Sequence, residues 1–249
     1  MKIIPLSEGS FSIDKTKLFV PFNTNADDLQ QRPTGSLLVE VQPFLVITPE
    51  DVLLLDTGLG FEKDGVLQLH KNMMDAGINP SEVTKVLMSH LHKDHAGGIS
   101  RKNAASGKYD ELAFPRATYY IQKKELAYAF EKGPGSYIVE ELECLKTASN
   151  VVWLDGNGVI DGYIKYELTG AHCPYHQVFW IVDGGEKIFF GGDVAPQLQQ
   201  MKSRYVAKYD YDGKKCMELR QQWWKQGAEE GWTFLFYHDI KTGVYKAGL

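Results

Sequence analysis

Residues 89–98 read Ser-His-Leu-His-Lys-Asp-His-Ala-Gly-Gly directly after an apolar run, so four metal-capable side chains crowd the end of one predicted strand. His90, His92 and Asp94 alternate along the chain, and His95 breaks the alternation. On a helix the four would point in several directions, because each position turns by about 100° from the last. On a loop leaving a strand all four can turn inward, with Gly97 and Gly98 permitting tight backbone. Imidazole nitrogen and carboxylate oxygen together suit a divalent cation such as Zn²⁺, Mn²⁺ or Fe²⁺. Three or four ligands are too many for one catalytic ion that must keep an open position, so the spacing points to two ions sharing a site. A run of solvated surface residues is the duller alternative.

Three further segments weigh against that alternative, because each ends a predicted strand on a ligand-type residue. They are Leu168-Thr169-Gly170-Ala171-His172, Phe189-Phe190-Gly191-Gly192-Asp193 and Phe234-Leu235-Phe236-Tyr237-His238. The two glycines before Asp193 allow close backbone approach. Five of the seven histidines thus lie at strand ends or in the loop after one, where α/β sheets gather their ligand sites. Alone, His172 or His238 would read as a hydrogen-bonded structural residue. Beside the 90–95 cluster, the metal reading is the stronger.

The rest of the pattern says what carries these strand ends. Extended runs are predicted at 36–41 and 44–47, and the continuous apolar run over 51–56 reads as a strand buried on both faces. Val66, Leu69, Met73, Met74 and Ile78 fall at helical spacing, predicting a helix over 62–78 that stops near Gly77. Strands over 83–89 and 117–121 flank a Ser/Gly-rich surface loop at 100–108, and helices are predicted at 122–132 and 135–147. The second half gives strands at 151–154, 163–168, 177–182 and 187–190. A helix over 214–228 and a last strand over 233–237 complete it. Strands and helices alternate in both halves, which predicts a layered α/β sandwich with helices outside.

No linker, low-complexity tract or charge block divides the 249 residues, so one domain over 1–249 is expected. Lys and Arg number 27 against 32 Asp and Glu, a formal net charge of −5. Without a concentrated basic face the chain is a poor partner for nucleic acid. The longest apolar runs are strand-length, far short of the roughly 20 residues a bilayer requires, so no membrane partner is expected. The opening Met-Lys-Ile-Ile-Pro-Leu-Ser-Glu lacks a signal-peptide apolar core. Cysteines 144, 173 and 216 are too few and too odd in number for a disulfide framework. A cytoplasmic protein with reduced thiols is the expectation.

In these segments the chain resembles the metallo-β-lactamase superfamily. The family's H-x-H-x-D-H motif matches His90, His92, Asp94 and His95, followed by Ala-Gly-Gly. Its third His matches His172, its bridging Asp matches Asp193, and its last His matches His238. Its upstream Asp matches Asp56 in Leu53-Leu54-Leu55-Asp56-Thr57-Gly58. Order and separations fit across 36–240. The resemblance implies a four-layer αβ/βα sandwich of two similar halves, with a two-metal site at one edge between the sheets. It implies that His90, His92 and His172 hold the first ion, that Asp94, His95 and His238 hold the second, and that Asp193 bridges them. Asp56 would support the histidine loop without binding metal. The cofactor implied is two divalent ions, Zn²⁺ first, with Mn²⁺ or Fe²⁺ as alternatives. Two ions about 3.5–4 Å apart make a bridging hydroxide available at neutral pH. The implied reaction is hydrolysis of a small molecule, with Asp94 both a ligand and the catalytic proton carrier.

Within the superfamily, residues 89–98 look most like the lactonase and organophosphate-hydrolase-like branch, which includes N-acyl homoserine lactone lactonases. A small ester or lactone is therefore the expected substrate, with phosphoester or thioester hydrolysis as the alternative and a non-catalytic metal-binding module behind both. Two departures stand out. Those lactonases carry a catalytic Tyr three residues after the bridging Asp, where this chain has Pro196. The segment at the third His reads Thr169-Gly170-Ala171-His172, not Thr-Pro-Gly-His. A homodimer is a family-level expectation. Nearby, Cys173 reads as a packed thiol, His70 as structural, and His176 as either a support for the ligands or a surface residue. Trp223 and Trp224 read as packing residues, and Tyr205, Tyr209 and Tyr211 as a cluster flanking the pocket or a dimer contact.

Overall fold

A computed structural model describes residues 1–103 and 105–248. Two six-stranded sheets make its centre. In the first, the strands run in the order Lys2–Pro5, Phe44–Ile47, Val52–Leu55, Lys85–Leu87, Thr118–Gln122, Val151–Leu154. The first three pair antiparallel, and the remaining neighbours pair parallel. Parallel neighbours need a crossover. Helix Gln68–Asp75 lies in the one before Lys85–Leu87, and helix Lys123–Lys132 in the one before Val151–Leu154. The second sheet runs Gly158–Ile160, Ile164–Leu168, Gln177–Asp183, Glu186–Phe190, Thr233–Leu235, Val244–Lys246. It is antiparallel except between Glu186–Phe190 and Thr233–Leu235, which helix Gly213–Glu230 connects.

Alternation along the strands assigns the layers, because successive side chains leave opposite faces of a sheet. Phe44, Val46, Leu53, Leu55 and Leu87 of the first sheet meet Phe179, Ile181, Ile188, Phe190 and Leu235 of the second in one buried cluster. Their neighbours Leu45, Leu54 and Val86 face the other way and pack with Leu69, Met73 and Ala129 of the helices. Val178, Trp180 and Phe189 likewise turn outward to Cys216 and Trp223 of Gly213–Glu230. The order is helix, sheet, sheet, helix, the expected αβ/βα sandwich. Leu53, Leu54 and Leu55 are all fully buried, as a continuous apolar strand between two layers requires. The three cysteines are free and buried. No helix among the described residues is long and apolar enough to cross a membrane.

Several boundaries differ from the sequence expectation. The helix expected over 62–78 is shorter: Glu62–Lys63 and Val66–Leu67 pair as a small antiparallel hairpin, and the helix begins at Gln68. Asp64 and Gly65 form its turn with φ of 55° and 75°, the doubly left-handed geometry that Asp-Gly favours between two strands. In place of the helix expected over 135–147, only Val139–Leu142 is α-helical, followed by a 3₁₀ turn at Glu143–Lys146. Gly133, Pro134 and Gly135 precede it, both glycines at positive φ, so the chain cannot enter a helix earlier. The loop expected at 100–108 begins as strand Ser100–Lys102, which pairs with Tyr109–Leu112. The last strand stops at Leu235, short of 237. Strands Lys2–Pro5 and Gly9–Ile13 had no counterpart in the sequence reading.

Candidate metal centre

Each ligand-type residue singled out in the sequence lies just past the carboxyl end of a strand: Asp56 after Val52–Leu55, His90 after Lys85–Leu87, His172 after Ile164–Leu168, Asp193 after Glu186–Phe190 and His238 after Thr233–Leu235. The histidine loop is not a plain loop. His92 is extended (φ −61°, ψ 149°) and leads into a single helical turn, Lys93–Ala96. That change from extended to helical backbone turns Asp94 and His95 toward the same centre as His90 and His92. The loop is braced from behind. Thr57 donates to the His95 carbonyl through both its backbone N–H (2.7 Å) and its hydroxyl (3.0 Å). A Cβ on Gly60 would lie 2.2 Å from the Gly97 carbonyl oxygen, and one on Gly97 would lie 2.3 Å from that of Leu59. The two loops therefore meet backbone to backbone, which only glycine permits at these positions.

The side chains converge in overlapping sets, of which Asp56, His90 and His95 form one. His90, His92, His172 and Asp193 each place a ligand atom within 4.8 Å of the others, as do Asp94, His95 and His238. His172 Nε2 lies 3.1 Å from His92 Nδ1, and His95 Nε2 lies 3.3 Å from His238 Nε2. Asp193 stands between the groups. Its Oδ2 is 3.2 Å from His172 Nε2, while its Oδ1 is 3.1 Å from His95 Nε2 and 3.0 Å from His238 Nε2. Asp94 Oδ2 approaches His238 Nε2 at 3.4 Å.

For His95, His172 and His238 the outward nitrogen is held by another group, which fixes the direction of the ring. His95 Nδ1 meets Asp56 Oδ2 at 2.7 Å, and Asp56 also accepts from the Ser89 backbone N–H and hydroxyl, each at 2.6 Å. Asp56 is thus fully engaged, and its φ of 56° is a strained value for a residue other than glycine. His172 Nδ1 meets the buried Asp210 at 2.8 Å. His238 Nδ1 donates to the Glu40 carbonyl at 2.7 Å. The Tyr237 ring stacks on His95 at 4.1 Å, and its hydroxyl donates to the Asp94 carbonyl at 2.7 Å. His176 is fully buried, and its Nε2 accepts from the Asp193 backbone N–H at 3.2 Å, so of its two expected roles it takes the supporting one.

Sequence reasoning missed Asp210, Tyr237 and Ser89 as supports. Tyr237 sits beside His238 in a strand-like run and was open to notice, but Asp210 lies in an aperiodic stretch with no sequence signal. Of the tyrosine cluster, Tyr209 alone is within reach of a ligand ring, 6.3 Å from His172, and Tyr211 is exposed. Cys173 is buried, and burial pushes its thiol well up, which leaves it unreactive. Trp223 is buried against Phe189 and Trp180.

Burial first, and neighbouring imidazoles next, hold His90 and His92 well below the usual histidine range. Both are thereby kept neutral with a free lone pair, the form that binds metal. Burial also opposes charge on His95 and His238, yet Asp193 and Asp94 outweigh it and raise both. Burial disfavours the Asp193 carboxylate, but His238, His95 and His172 pull it well down.

The donor set fits divalent ions. Two nitrogens each 2.0–2.1 Å from a tetrahedral zinc are roughly 3.3–3.4 Å apart, close to the two observed nitrogen pairs. His90 Nε2 is buried without a hydrogen-bond partner, a costly state that an ion at the first group would relieve.

Residues 38–222 match the metallo-beta-lactamase superfamily, and the chain belongs to that superfamily. N-acyl homoserine lactonase AttM of Rhizobium johnstonii is 33% identical over 142 residues, covering 51% of this chain and 47% of that protein. AttM of Azorhizobium caulinodans is 31% identical over 118 residues, covering 42% and 38%. The matches thus span less than half the length of these curated relatives. Among solved structures, a probable metal-dependent hydrolase from Staphylococcus aureus superposes with a TM-score of 0.78 at 20% identity, over 98% of this chain and 91% of that one. AidC, a dizinc quorum-quenching lactonase in complex with a product, gives 0.72 at 21% identity, over 97% and 88%. At such identities the likeness shows the fold.

Proposed function

We propose that this chain is a dinuclear metallohydrolase that opens a small lactone or cleaves a small ester. The observation that carries the reading is Asp193, whose two carboxylate oxygens face two separate groups of ligand atoms. His90, His92 and His172 would hold the first ion and Asp94, His95 and His238 the second, with Asp193 between them. Zn²⁺ is the first choice for this nitrogen-rich set, with Mn²⁺ or Fe²⁺ as alternatives. Bound there, the ions would lower the pKa of a water toward neutrality and polarise a carbonyl oxygen.

The chain's own residues supply the rest. As water adds to the carbonyl carbon, Asp94 accepts its proton and returns it to the leaving alkoxide as the C–O bond breaks. The Tyr237 hydroxyl on the Asp94 carbonyl holds the helical turn that carries this carboxylate. Asp56 and Asp210 keep His95 and His172 in fixed orientations. The preference for lactones and esters draws on the motif at 89–98 and on the AttM lactonases. Pro196 means that no phenol follows Asp193 in the position those lactonases use.

The test is metal content and a substrate panel. Protein reconstituted with Zn²⁺, Mn²⁺ or Fe²⁺ is expected to hold close to two ions per chain. It should turn over lactones or aryl esters faster than thioesters, phosphotriesters or β-lactams. Absence of bound metal after reconstitution overturns the proposal.

A further inference from the structure

Glu125 lies in none of the segments that carry the ligands, yet groups from two of them meet at its carboxyl. The Leu91 backbone N–H donates to Oε1 at 3.2 Å, and the Tyr137 hydroxyl donates to the same oxygen at 3.2 Å. The Cys173 thiol lies 3.6 Å from Oε1 and 3.7 Å from Oε2. Glu125 is only 1% exposed, in the first turn of helix Lys123–Lys132.

Its partners are close neighbours of the first group of ligands. Leu91 stands between His90 and His92, Cys173 follows His172, and the Tyr137 ring packs edge-on against His92 at 5.0 Å. His90 and His92 leave the first sheet, whereas His172 leaves the second. One carboxyl thus ties segments from both sheets at the point where His92 Nδ1 and His172 Nε2 come within 3.1 Å. The Leu91 backbone N–H can only donate, so Oε1 must accept there. The groups that brace Asp94, His95 and His238, namely Asp56, the Glu40 carbonyl and Tyr237, make no hydrogen bond to Glu125.

We propose that Glu125 is a positioning residue for the first ion, a clasp that sets the separation of His92 from His172 across the two sheets. The inference rests on the two-metal reading above. Substitution Glu125→Leu tests it, because it roughly keeps the volume and removes both acceptor oxygens, whereas an amide would keep the oxygen that Leu91 and Tyr137 share. Zinc affinity is measured by competition with a chromophoric chelator on the full chain. The His238→Ala background leaves the first group complete, and the His92→Ala background leaves the second. Far-UV circular dichroism and urea unfolding of the metal-free variants check the fold.

Glu125→Leu is expected to weaken the first site by about 10–100-fold, as loss of a partner around a ligand generally does, and to leave the second unchanged. Unchanged first-site affinity in a folded variant overturns the proposal, and so does an equal loss at both sites. If Glu125→Leu fails to fold, Tyr137→Phe removes one donor and keeps the carboxyl. A smaller loss confined to the first site then supports the clasp, and no loss overturns it. Failure of the wild-type chain to bind any ion overturns the two-metal reading itself, which separates the two failures.

Discussion

His172 Nδ1 and Asp210 Oδ1 meet at 2.8 Å with both side chains buried, so a carboxylate 38 residues away along the chain fixes one face of a predicted ligand ring. A carboxylate in this position also fixes the tautomer that leaves the inward nitrogen free for an ion. Asp210→Asn keeps the shape and removes the charge. It is expected to lower zinc affinity by about 10–100-fold, read by competition titration. Wild-type affinity in the variant would show that the pair only packs.

Asp94→Asn separates ligand from proton carrier. The variant should keep the first ion, because His90, His92 and His172 remain, while hydrolysis falls by roughly 10²–10⁴-fold. Metal content and kcat on a lactone or aryl ester check both halves of the statement. Turnover like that of the wild type contradicts the proton-carrier role.

Chelation should destabilise the loaded protein. An ion bound only by the folded chain adds about 2.7 kcal/mol when its free concentration is a hundred times its Kd. Thermal unfolding with and without a strong chelator measures the difference. Equal midpoints for both samples would argue against tight ions at this site.

The backbone contact between Gly60 and Gly97 predicts a substitution effect without any ligand. Gly60→Ala would drive a methyl to 2.2 Å from the Gly97 carbonyl oxygen and would also strain a φ of 71°. A loss of roughly 2–4 kcal/mol is expected in urea unfolding of the metal-free chain. Ala at Gly35, also at positive φ but with nothing near its Cβ, is the control and should cost less.

His70 predicts a pH dependence. Burial first, and Arg101 second, lower it from 6.5 to about 4, and its ring lies edge-on to Phe114 at 4.9 Å. As pH falls below 6.5 the unfolded chain takes up a proton that the folded chain refuses until about pH 4, so stability is lost through that window. Discounted for partial solvent access, the loss is about 2 kcal/mol. In His70→Leu the decline between pH 7 and pH 4.5 should be shallower by that amount in urea unfolding. Identical slopes would remove His70 as the cause.

The candidate site was legible because coordination restricts residue types and strand ends restrict positions. Together they left His90, His92, Asp94, His95, His172, Asp193 and His238 recognisable one by one. The layers were legible too, since Leu53-Leu54-Leu55 has to be covered on both faces. Asp210 and Glu125 were not, because each takes its part from contacts that exist only after folding. Helical spacing of Val66, Leu69 and Met73 masked the hairpin at 62–67, although Asp64-Gly65 announced its turn. The same apolar positions serve a strand followed by a helix, and period alone does not separate the two.

The two ligand groups draw on both sheets, and this gives a bound ion a mechanical role. His90, His92, Asp94 and His95 extend from the first sheet, while His172, Asp193 and His238 extend from the second. Between the sheets lies an apolar interface, tied at its site edge by Gln177, whose Nε2 donates to the Met88 carbonyl at 2.8 Å and whose Oε1 accepts from Gln122 at 2.9 Å. An ion bound there would add a further tie between the two sheets. Amide hydrogen exchange in the central strands is then expected to slow on metal loading, far from any ligand.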